Sequence, residues 1–243
     1  MSIYIFPMAG LSSRFSKAGY TKPKFQLEIE NETMFEWAVK SFKKYFTTDT
    51  FLFIAREEDK YKSFLETKIK NLGIKDFRIC FLDFQTKGQA ETVYEGLIRN
   101  LDNIPNEGLY IFNIDSKKHN FIEPEWINEV DGYLELFLGH GDHWSFAQLD
   151  RESNVLQTAE KNRISDLCSN GLYYFKSFET YRLAYKDMMD NSKFDKGECY
   201  IAPMYNFLIS NEYVIKGKVV PLSSISFCGT PNEYKDLLST CNK

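Results

Sequence analysis

Residues 3–15, IYIFPMAGLSSRF, set the architecture of this chain. The first four are apolar and β-prone, so they predict a buried strand, and the residues that follow predict a turn into a short helix. A glycine-containing loop after a buried strand can turn its backbone N–H groups toward phosphate oxygens, and Gly10 permits a close approach. The alternative is a tight turn whose basic residues face solvent.

Positive charge gathers around this loop. Residues 1–27 contain no acidic residue but include the bases Arg14, Lys17, Lys22 and Lys24, whereas the whole chain has a net charge of −4. This local excess suggests a small anionic ligand. Arg14 could bind the phosphates of such a ligand that are not transferred, and Lys24 could bind where negative charge develops during a reaction. The negative net charge of the chain argues against a nucleic-acid partner, because proteins that bind nucleic acid usually carry a basic face that neutralises the phosphates.

Length and composition limit the class of protein. With 243 residues, 43% of them hydrophobic and 26% charged, we expect one globular domain over residues 1–243. No apolar run reaches the roughly 18 to 20 residues needed to cross a bilayer, and no signal-peptide pattern is present, so we expect no membrane association. The five cysteines never form a C-x-x-C pair. This argues against a disulfide framework and favours the cytoplasm.

The pattern along the chain alternates strands with helices, which is typical of an α/β protein with a mostly parallel sheet. The predicted strands are residues 3–6, 51–55, 77–82, 109–114, 133–138, 144–149, 155–161 and 172–175. The predicted helices are residues 33–46, which open on a Thr33-x-x-Glu36 capping box, 57–72, 89–101, 178–189, 201–210 and 232–239. The pattern of predicted strands and helices changes near residue 120, which predicts a boundary between two lobes within one sheet.

Further motifs follow the loop in order. They are Pro23-Lys24, Gln85-x-x-Gly88-Gln89-Ala90, Asn113-Ile114-Asp115, Ala159-Glu160-Lys161, Asn170-Gly171, Gly197-Glu198 and Gly229-Thr230-Pro231. Together with Gly10-x-Ser12-x-Arg14, the series resembles the sugar-phosphate nucleotidyltransferases, also called nucleotide-sugar pyrophosphorylases, from about residue 3 to residue 238. The family has a glycine at the position of Ser12, and usually a second metal-binding aspartate at the position of Phe227.

The resemblance implies a three-layer α/β/α fold with a mostly parallel central sheet, similar to that of GT-A glycosyltransferases. Residues 1–120 would hold the nucleotide and residues 121–243 the acceptor. The implied catalytic residues are Arg14, Lys24 and Lys161. The implied nucleotide-binding residues are Met8, Ala9, Gly10, Leu11, Ser12, Gln85, Gly88 and Gln89. The implied acceptor-binding residues are Asn113, Glu160, Asn170, Gly171, Glu198 and Tyr200, and the implied ligand of Mg²⁺ is Asp115.

The implied reaction joins a nucleoside triphosphate to a phosphorylated sugar or polyol and releases pyrophosphate. The acceptor phosphate has a second pKa of about 6, so it is already ionised and needs no general base. The protein must mainly position two anions and neutralise their repulsion. Gln85 offers a donor and an acceptor to a pyrimidine edge. Resemblance to capsule-type cytidylyltransferases favours CTP and a role in capsular or surface polysaccharide synthesis, and the many aromatic residues permit a homodimer.

Several of these residues have simpler interpretations. Asp115 also fits a turn or helix cap, Gln85 a polar loop, and Glu160 with Lys161 an exposed ion pair. The segment 139–144, GHGDHW, contains two histidines and an aspartate that suggest a metal site, but a loop with Trp144 packed in the core is the favoured interpretation.

Two other functions remain open. A GT-A-type glycosyltransferase would use Asn113-x-Asp115 as a reduced D-x-D metal motif, but it would not need Arg14 and Lys24 beside a triphosphate. A non-catalytic nucleotide or sugar-phosphate sensor is suggested by Phe227, which cannot replace a metal-binding carboxylate.

Overall fold

A nine-stranded mixed sheet is the framework of this computed structural model, which describes residues 1–101, 107–194 and 197–241. Its strands are β1 (Ser2–Pro7), β4 (Thr50–Arg56), β5 (Asp76–Leu82), β6 (Gly108–Phe112), β8 (Gly132–Leu138), β9 (Ser145–Leu149), β10 (Val155–Glu160), β11 (Leu167–Phe175) and β12 (Ile215–Val219). Two small ladders pair β2 (Glu28–Ile29) with β3 (Glu32–Thr33), and β7 (Ser116–Lys118) with β13 (Ile225–Phe227). The helices are α1 (Ser13–Lys17), α2 (Met34–Val39), α3 (Asp59–Leu72), α4 (Gln89–Ile98), α5 (Phe178–Asp190), α6 (Tyr205–Ser210) and α7 (Pro231–Cys241).

The first strand lies inside the sheet. It pairs in parallel with β4 on one side and with β6 on the other, and β5 extends the parallel group beyond β4. Strand β11 joins antiparallel to β6, so the sheet is continuous across residue 120. The loops after β1 and β6 leave from the same carboxyl edge, where ligands bind in open α/β sheets.

Side chains of β1 alternate between two cores, as the apolar pattern predicts for a strand buried on both faces. Tyr4 and Phe6 pack with α2 and α3. Ile3 and Ile5 pack with α4, α5 and α6 on the opposite face. This arrangement gives the predicted three layers.

Most predicted elements are present, although one helix and one strand differ from the prediction. The helix expected over residues 33–46 begins at the predicted capping box, but it becomes a 3₁₀ helix from Lys40 to Tyr45, where Phe42 has φ −112° and ψ 24°. The strand expected over residues 109–114 ends at Phe112, so Asn113 and Asp115 leave the sheet. The strands β2, β3, β7, β12 and β13 were not predicted.

Among the described residues, no helix is long and apolar enough to cross a membrane. Four cysteines with described side chains, Cys80, Cys168, Cys199 and Cys228, are buried free thiols. Cys168 packs with Phe137 and Phe146, and burial raises its pKa, which agrees with its expected role as an apolar filler.

Candidate functional site

Two adjoining cavities open at the carboxyl edge of the sheet. The first has a volume of about 470 Å³ and is lined by residues 7–11, Lys24, residues 85–89 and Glu198. The second has a volume of about 290 Å³ and is lined by Arg14, Trp144, Glu160, Lys161, Gly171, Phe227 and Glu233, among others. Gln89, Asn113, Asp115 and Tyr200 line both. The site therefore has two compartments with a common wall.

The loop after β1 forms one side of the first cavity. The Met8 N–H donates to the Ile54 carbonyl at 2.8 Å, which anchors the start of the loop to β4. A Cβ added to Gly10 would have no protein atom within 4 Å, so the backbone there faces open space. This geometry agrees with an approach of the ligand to the loop backbone.

Ser12 has a different place from the one expected. It has a left-handed φ of 52° at the start of α1, and it is absent from the lining of the first cavity. Its hydroxyl accepts a hydrogen bond from the backbone N–H of Lys24 at 3.2 Å. The residue that replaces the family's glycine therefore positions the Pro23-Lys24 segment.

The segment around Cys199 lies over the segment that carries Gln85 and Gly88. The Cys199 N–H donates to the Lys87 carbonyl at 2.9 Å, and the Cys199 carbonyl accepts from Ala90 N–H at 3.0 Å. Gly88 has φ +155°, and a Cβ there would lie 2.5 Å from the Cys199 carbonyl oxygen. Only glycine fits at this contact. Gln85 is exposed on the wall of the first cavity.

Lys24 and Asp115 form an ion pair at the common wall, with 2.5 Å between Nζ and Oδ2 and side-chain exposures of 25% and 17%. The Asp115 backbone carbonyl also accepts from Cys228 N–H at 2.8 Å. The two residues chosen separately from the sequence, one for phosphate and one for metal, are therefore in direct contact.

The residues near Asp115 fit Mg²⁺ only in part. Mg²⁺ is commonly bound by one or two carboxylates, with substrate phosphates and water completing its shell. Asp115 supplies one carboxylate and Phe227 supplies none. A Cβ added to Gly229 would lie 3.2 Å from Asp115 Oδ2 and 3.6 Å from Glu233 Oε2, so the two carboxylates are near each other. Glu233 Oε2, however, already accepts from Thr230 N–H at 2.8 Å to cap α7. Among the described residues, no group of three or more His, Cys, Asp or Glu side chains is placed to hold a metal.

Lys161 projects into the second cavity and is held by Tyr200. Its ammonium donates to the Tyr200 hydroxyl and lies 4.1 Å from the centre of that ring, and the hydroxyl in turn donates to Glu198. Burial favours the neutral amine, but the hydrogen bond to Tyr200 and the nearby carboxylates outweigh it and raise the pKa of Lys161. The lysine therefore stays charged near neutral pH. Glu160 has only 6% of its side chain exposed, so an exposed ion pair is the wrong interpretation.

Asn170 lines the second cavity, but both polar atoms of its side chain already have partners within the protein. It is 1% exposed, its Nδ2 donates to Glu135 Oε2 at 2.7 Å, and its Oδ1 accepts from Leu172 N–H at 3.1 Å. Glu135 is completely buried and pairs with Lys118 at 2.6 Å. The sequence offered one unused signal for this network, because Glu135 interrupts the apolar strand β8.

Gly171 and Gln89 hold Asn113 at the common wall. Gly171 has φ +87°, and a Cβ there would collide with the Asn113 side chain. Gln89 Nε2 donates to Asn113 Oδ1 at 2.6 Å. Gly171 and Gln89 therefore position Asn113.

Two residues at the second cavity also differ from expectation. Arg14, expected beside the triphosphate, lines the second cavity and not the first. Trp144 packs against the small core of Phe137, Phe146 and Cys168, as expected, but it is only half-buried and also lines the same cavity. Sequence reasoning also missed Thr86 and Lys87 in the first cavity and Ser145 and Tyr173 in the second.

Comparison with known proteins places the chain among nucleotide-sugar enzymes. No family model and no curated protein matches its sequence. A solved nucleoside-diphosphate-sugar pyrophosphorylase from Vibrio cholerae RC9 is 45% identical, with a TM-score of 0.93 over 97% of this chain and 99% of the other. The inositol-1-phosphate CTP transferase from T. maritima shares the fold at 12% identity, with a TM-score of 0.74 over 100% of this chain and 96% of the other. An apo UDP-glucose pyrophosphorylase does so at 13% identity, with a TM-score of 0.76 over 100% and 98%.

These likenesses confirm both the resemblance drawn from the ordered motifs and the α/β fold class with a mostly parallel central sheet. The two structures below 25% identity bear on the fold alone. The Vibrio cholerae structure matches nearly the whole chain at an identity that defines a family. The chain therefore belongs to the nucleotide-sugar pyrophosphorylases, the family of sugar-phosphate nucleotidyltransferases.

Proposed function

We propose that the protein transfers a nucleotidyl group from a nucleoside triphosphate to a sugar or polyol phosphate and releases pyrophosphate. The triphosphate occupies the first cavity and the acceptor the second. The observation that carries the proposal is the common wall, because cationic side chains stand on both sides of it. Lys24 lines the first cavity, and Arg14 and Lys161 line the second.

The reaction needs charge neutralisation more than acid–base chemistry. An oxygen of the acceptor phosphate attacks the α-phosphorus in line, the new P–O bond forms, and the bond to the bridging oxygen breaks as pyrophosphate leaves. Lys24 exchanges Asp115 for a phosphate oxygen of the nucleotide. Lys161 and Arg14 hold the acceptor phosphate. These positive charges offset the repulsion between the two anions as they approach each other.

Asp115 would hold Mg²⁺, with phosphate oxygens and water supplying the other ligands. When bound, the ion neutralises the negative charge that builds up on the phosphates. In the absence of ligands, Lys24 and Asp115 pair with each other. When nucleotide and metal bind together, Lys24 would pair with a phosphate and Asp115 with the ion.

The nucleotide we propose is CTP. Gln85, Thr86 and Gly88 line the first cavity, and we expect the Gln85 amide and the Thr86 hydroxyl to meet the edge of the base. A pyrimidine also needs a smaller slot than a purine. We further propose that the product is a precursor for capsular or surface polysaccharide, made in the cytoplasm. The homodimer stays a prediction.

Incubation of the protein with each nucleoside triphosphate, Mg²⁺ and a panel of sugar and polyol phosphates tests the proposal through pyrophosphate release. We expect release with CTP and one acceptor class. Lys24→Ala should abolish it, whereas Lys22→Ala, a matched change at an exposed lysine outside both cavities, should not.

Each other outcome points elsewhere. Absence of pyrophosphate with every pair would refute the proposal. Release of a nucleoside diphosphate would favour a glycosyltransferase, and thermal stabilisation by nucleotide without turnover would favour a sensor.

A further inference from the structure

A buried ion pair lies one residue away from the second cavity. Lys118 on β7 and Glu135 on β8 pair at 2.6 Å, with side-chain exposures of 5% and 0%, and neither residue lines the two cavities of the site. Burial of two charges costs desolvation energy, and an apolar pair of similar volume often gives equal or greater stability. Stability alone therefore does not account for two charges at this position.

Strand β11 has a bulge opposite this carboxylate. Residues 170–172 face only one residue of β8, Glu135, because the register shifts between Ser169 and Tyr173. A bulge disrupts the regular ladder of backbone hydrogen bonds, so other groups have to hold its shape. We call residues 169–172 the β11 bulge, and its first three residues line the second cavity.

Glu135 holds the β11 bulge through Asn170. The Asn170 Nδ2 atom donates at 2.7 Å to Glu135 Oε2, the same oxygen that accepts from Lys118. The Asn170 Oδ1 atom accepts from Leu172 N–H at 3.1 Å, so the side chain spans Gly171. A hydrogen bond to an ionised acceptor is roughly twice as strong as one between neutral groups. The charged carboxylate therefore fixes the segment that contains Gly171.

The β11 bulge in turn contacts Asn113. Gly171 has φ +87°, and a Cβ built there would lie 2.4 Å from Asn113 Nδ2, so the backbone of the bulge is close to that side chain. Leu172 pairs with Phe112, so the bulge lies beside the end of β6. Asn113 lines both cavities, and its Oδ1 accepts from Gln89. A shift of the bulge would therefore displace Asn113 at the common wall.

We propose that Lys118 and Glu135 are positioning residues, which hold the β11 bulge so that Asn113 stays in place between the two cavities. This inference rests on the proposed function and adds to it two residues that line neither cavity. Lys118 fixes the Glu135 carboxylate, and the carboxylate fixes Asn170. Asn170 then keeps Gly171 against Asn113.

Two double variants separate positioning from stability. Both include Lys118→Met, so the two charges of the pair are removed together. In Lys118→Met/Glu135→Gln, an amide oxygen can still accept from Asn170. In Lys118→Met/Glu135→Leu, the acceptor of Asn170 Nδ2 is lost. Glu135→Gln also buries an amide that brings its own N–H donors, so we expect the glutamine-containing double variant to be the less stable of the two in urea unfolding.

Catalysis should follow the opposite order. The acceptor is the phosphate that releases most pyrophosphate with the wild type. For this acceptor, kcat/KM should fall about tenfold in Lys118→Met/Glu135→Leu, the effect of one lost hydrogen bond to a charged group, and should stay within about threefold of the wild type in Lys118→Met/Glu135→Gln. The Kd for CTP should change less than about twofold in both, because the β11 bulge lines only the second cavity. If the pair served stability alone, activity would follow stability.

Thr50→Val is the matched control. Thr50 is 1% exposed, its Oγ1 donates to Asp76 Oδ2 at 2.6 Å, and it lines neither cavity of the site. The variant loses a buried hydrogen bond to a carboxylate, so it should be less stable and keep wild-type kinetics. Asn170→Ala keeps the ion pair and removes its link to the bulge. It should show the same tenfold loss, and it decides the question if Lys118→Met/Glu135→Leu does not fold.

Hydrogen–deuterium exchange, followed by mass spectrometry, gives a readout that needs no turnover. Backbone N–H groups of residues 169–173 and 113–116 should exchange faster in Lys118→Met/Glu135→Leu than in the wild type, and should change little in Lys118→Met/Glu135→Gln. Faster exchange in both segments, when no acceptor releases pyrophosphate even with the wild type, would support the inference and refute the proposed function.

Three results would overturn the inference and leave the proposed function intact. The first is a wild-type acceptor kcat/KM in the folded Lys118→Met/Glu135→Leu variant. The second is an equal loss of kcat/KM in both double variants or in Thr50→Val. The third is unchanged exchange in either segment of the leucine-containing double variant.

Discussion

Replacing Asp115 by asparagine should tighten nucleotide binding in the absence of Mg²⁺ but not in its presence. Without ligands, Lys24 Nζ lies 2.5 Å from Asp115 Oδ2, so the lysine proposed to hold a phosphate is already engaged. A nucleotide that arrives without metal must separate this pair and also approach the Asp115 carboxylate. Asparagine keeps the shape of the side chain and removes its charge, so Lys24 becomes available to phosphate.

The size of the effect follows from the geometry. Two unit charges 2.5 Å apart attract by about 7 kcal/mol at an effective dielectric constant of about 20. Both side chains are partly exposed, so solvent screens part of this attraction. Desolvation and the loss of side-chain freedom offset most of the rest, and about 1 to 2 kcal/mol remains. Asp115→Asn should therefore tighten binding of metal-free CTP about 5- to 30-fold.

Isothermal titration calorimetry with CTP, in EDTA and in Mg²⁺, measures the change. In EDTA the variant should bind more tightly than the wild type. In Mg²⁺ it should bind equally or more weakly, because the carboxylate that would hold the ion is gone. Glu179→Gln removes a carboxylate from an exposed pair with Arg182 that lines neither cavity, so it should leave both affinities unchanged. Weaker or unchanged binding of CTP to Asp115→Asn in EDTA would refute the reasoning.

Three further changes test other parts of the site. Gly88→Ala places a Cβ against the Cys199 backbone at a φ of +155°, so it should weaken CTP binding and lower the free energy of unfolding by about 1 to 3 kcal/mol; Gly19→Ala, at φ +90° with no atom within 4 Å, should leave CTP binding intact. Calorimetry and urea unfolding report both effects, and equal CTP affinities would contradict the close contact. Glu135→Gln leaves a buried lysine without its counter-charge, so urea unfolding should show a loss of about 3 to 5 kcal/mol; a loss below 1 kcal/mol would mean that the pair is solvated. Burial raises the pKa of Cys199 to about 11 and that of Cys228 to about 12. At pH 8 both are therefore protonated, so iodoacetamide should leave them unmodified in the folded protein by mass spectrometry, and rapid labelling would contradict their burial.

Local physics explains which elements were predictable. The alternation of Ile3, Tyr4, Ile5 and Phe6 between two cores needs only a strand buried on both faces. The capping box at Thr33 uses groups three residues apart, so its geometry is contained in the sequence. The resemblance carried by the ordered motifs assigned the loop after β1, the Gln85–Gly88 segment and Asp115 to one site, and all three line the first cavity.

The missed features depend on contacts between distant segments. Strand β7 has the polar sequence SKK and gives no hydrophobic alternation, yet it pairs with β13 far along the chain. The side chain of Asn170 turns toward Glu135 because β8 lies beside β11, which no local pattern states. The half-buried position of Trp144 likewise depends on Phe227, which packs against it from another element.

The common wall has a practical consequence for inhibitor design. Gln89, Asn113, Asp115 and Tyr200 line both compartments, so one molecule can span them. Under the proposed function, this molecule would carry a nucleoside at one end and an acceptor skeleton at the other. After the first end is seated, the second binds at a high effective concentration. The proposed product is a diphosphate that joins the nucleoside to the acceptor. A stable analogue of it would combine the affinities of two modest ligands, and its selectivity could be adjusted at the acceptor end alone.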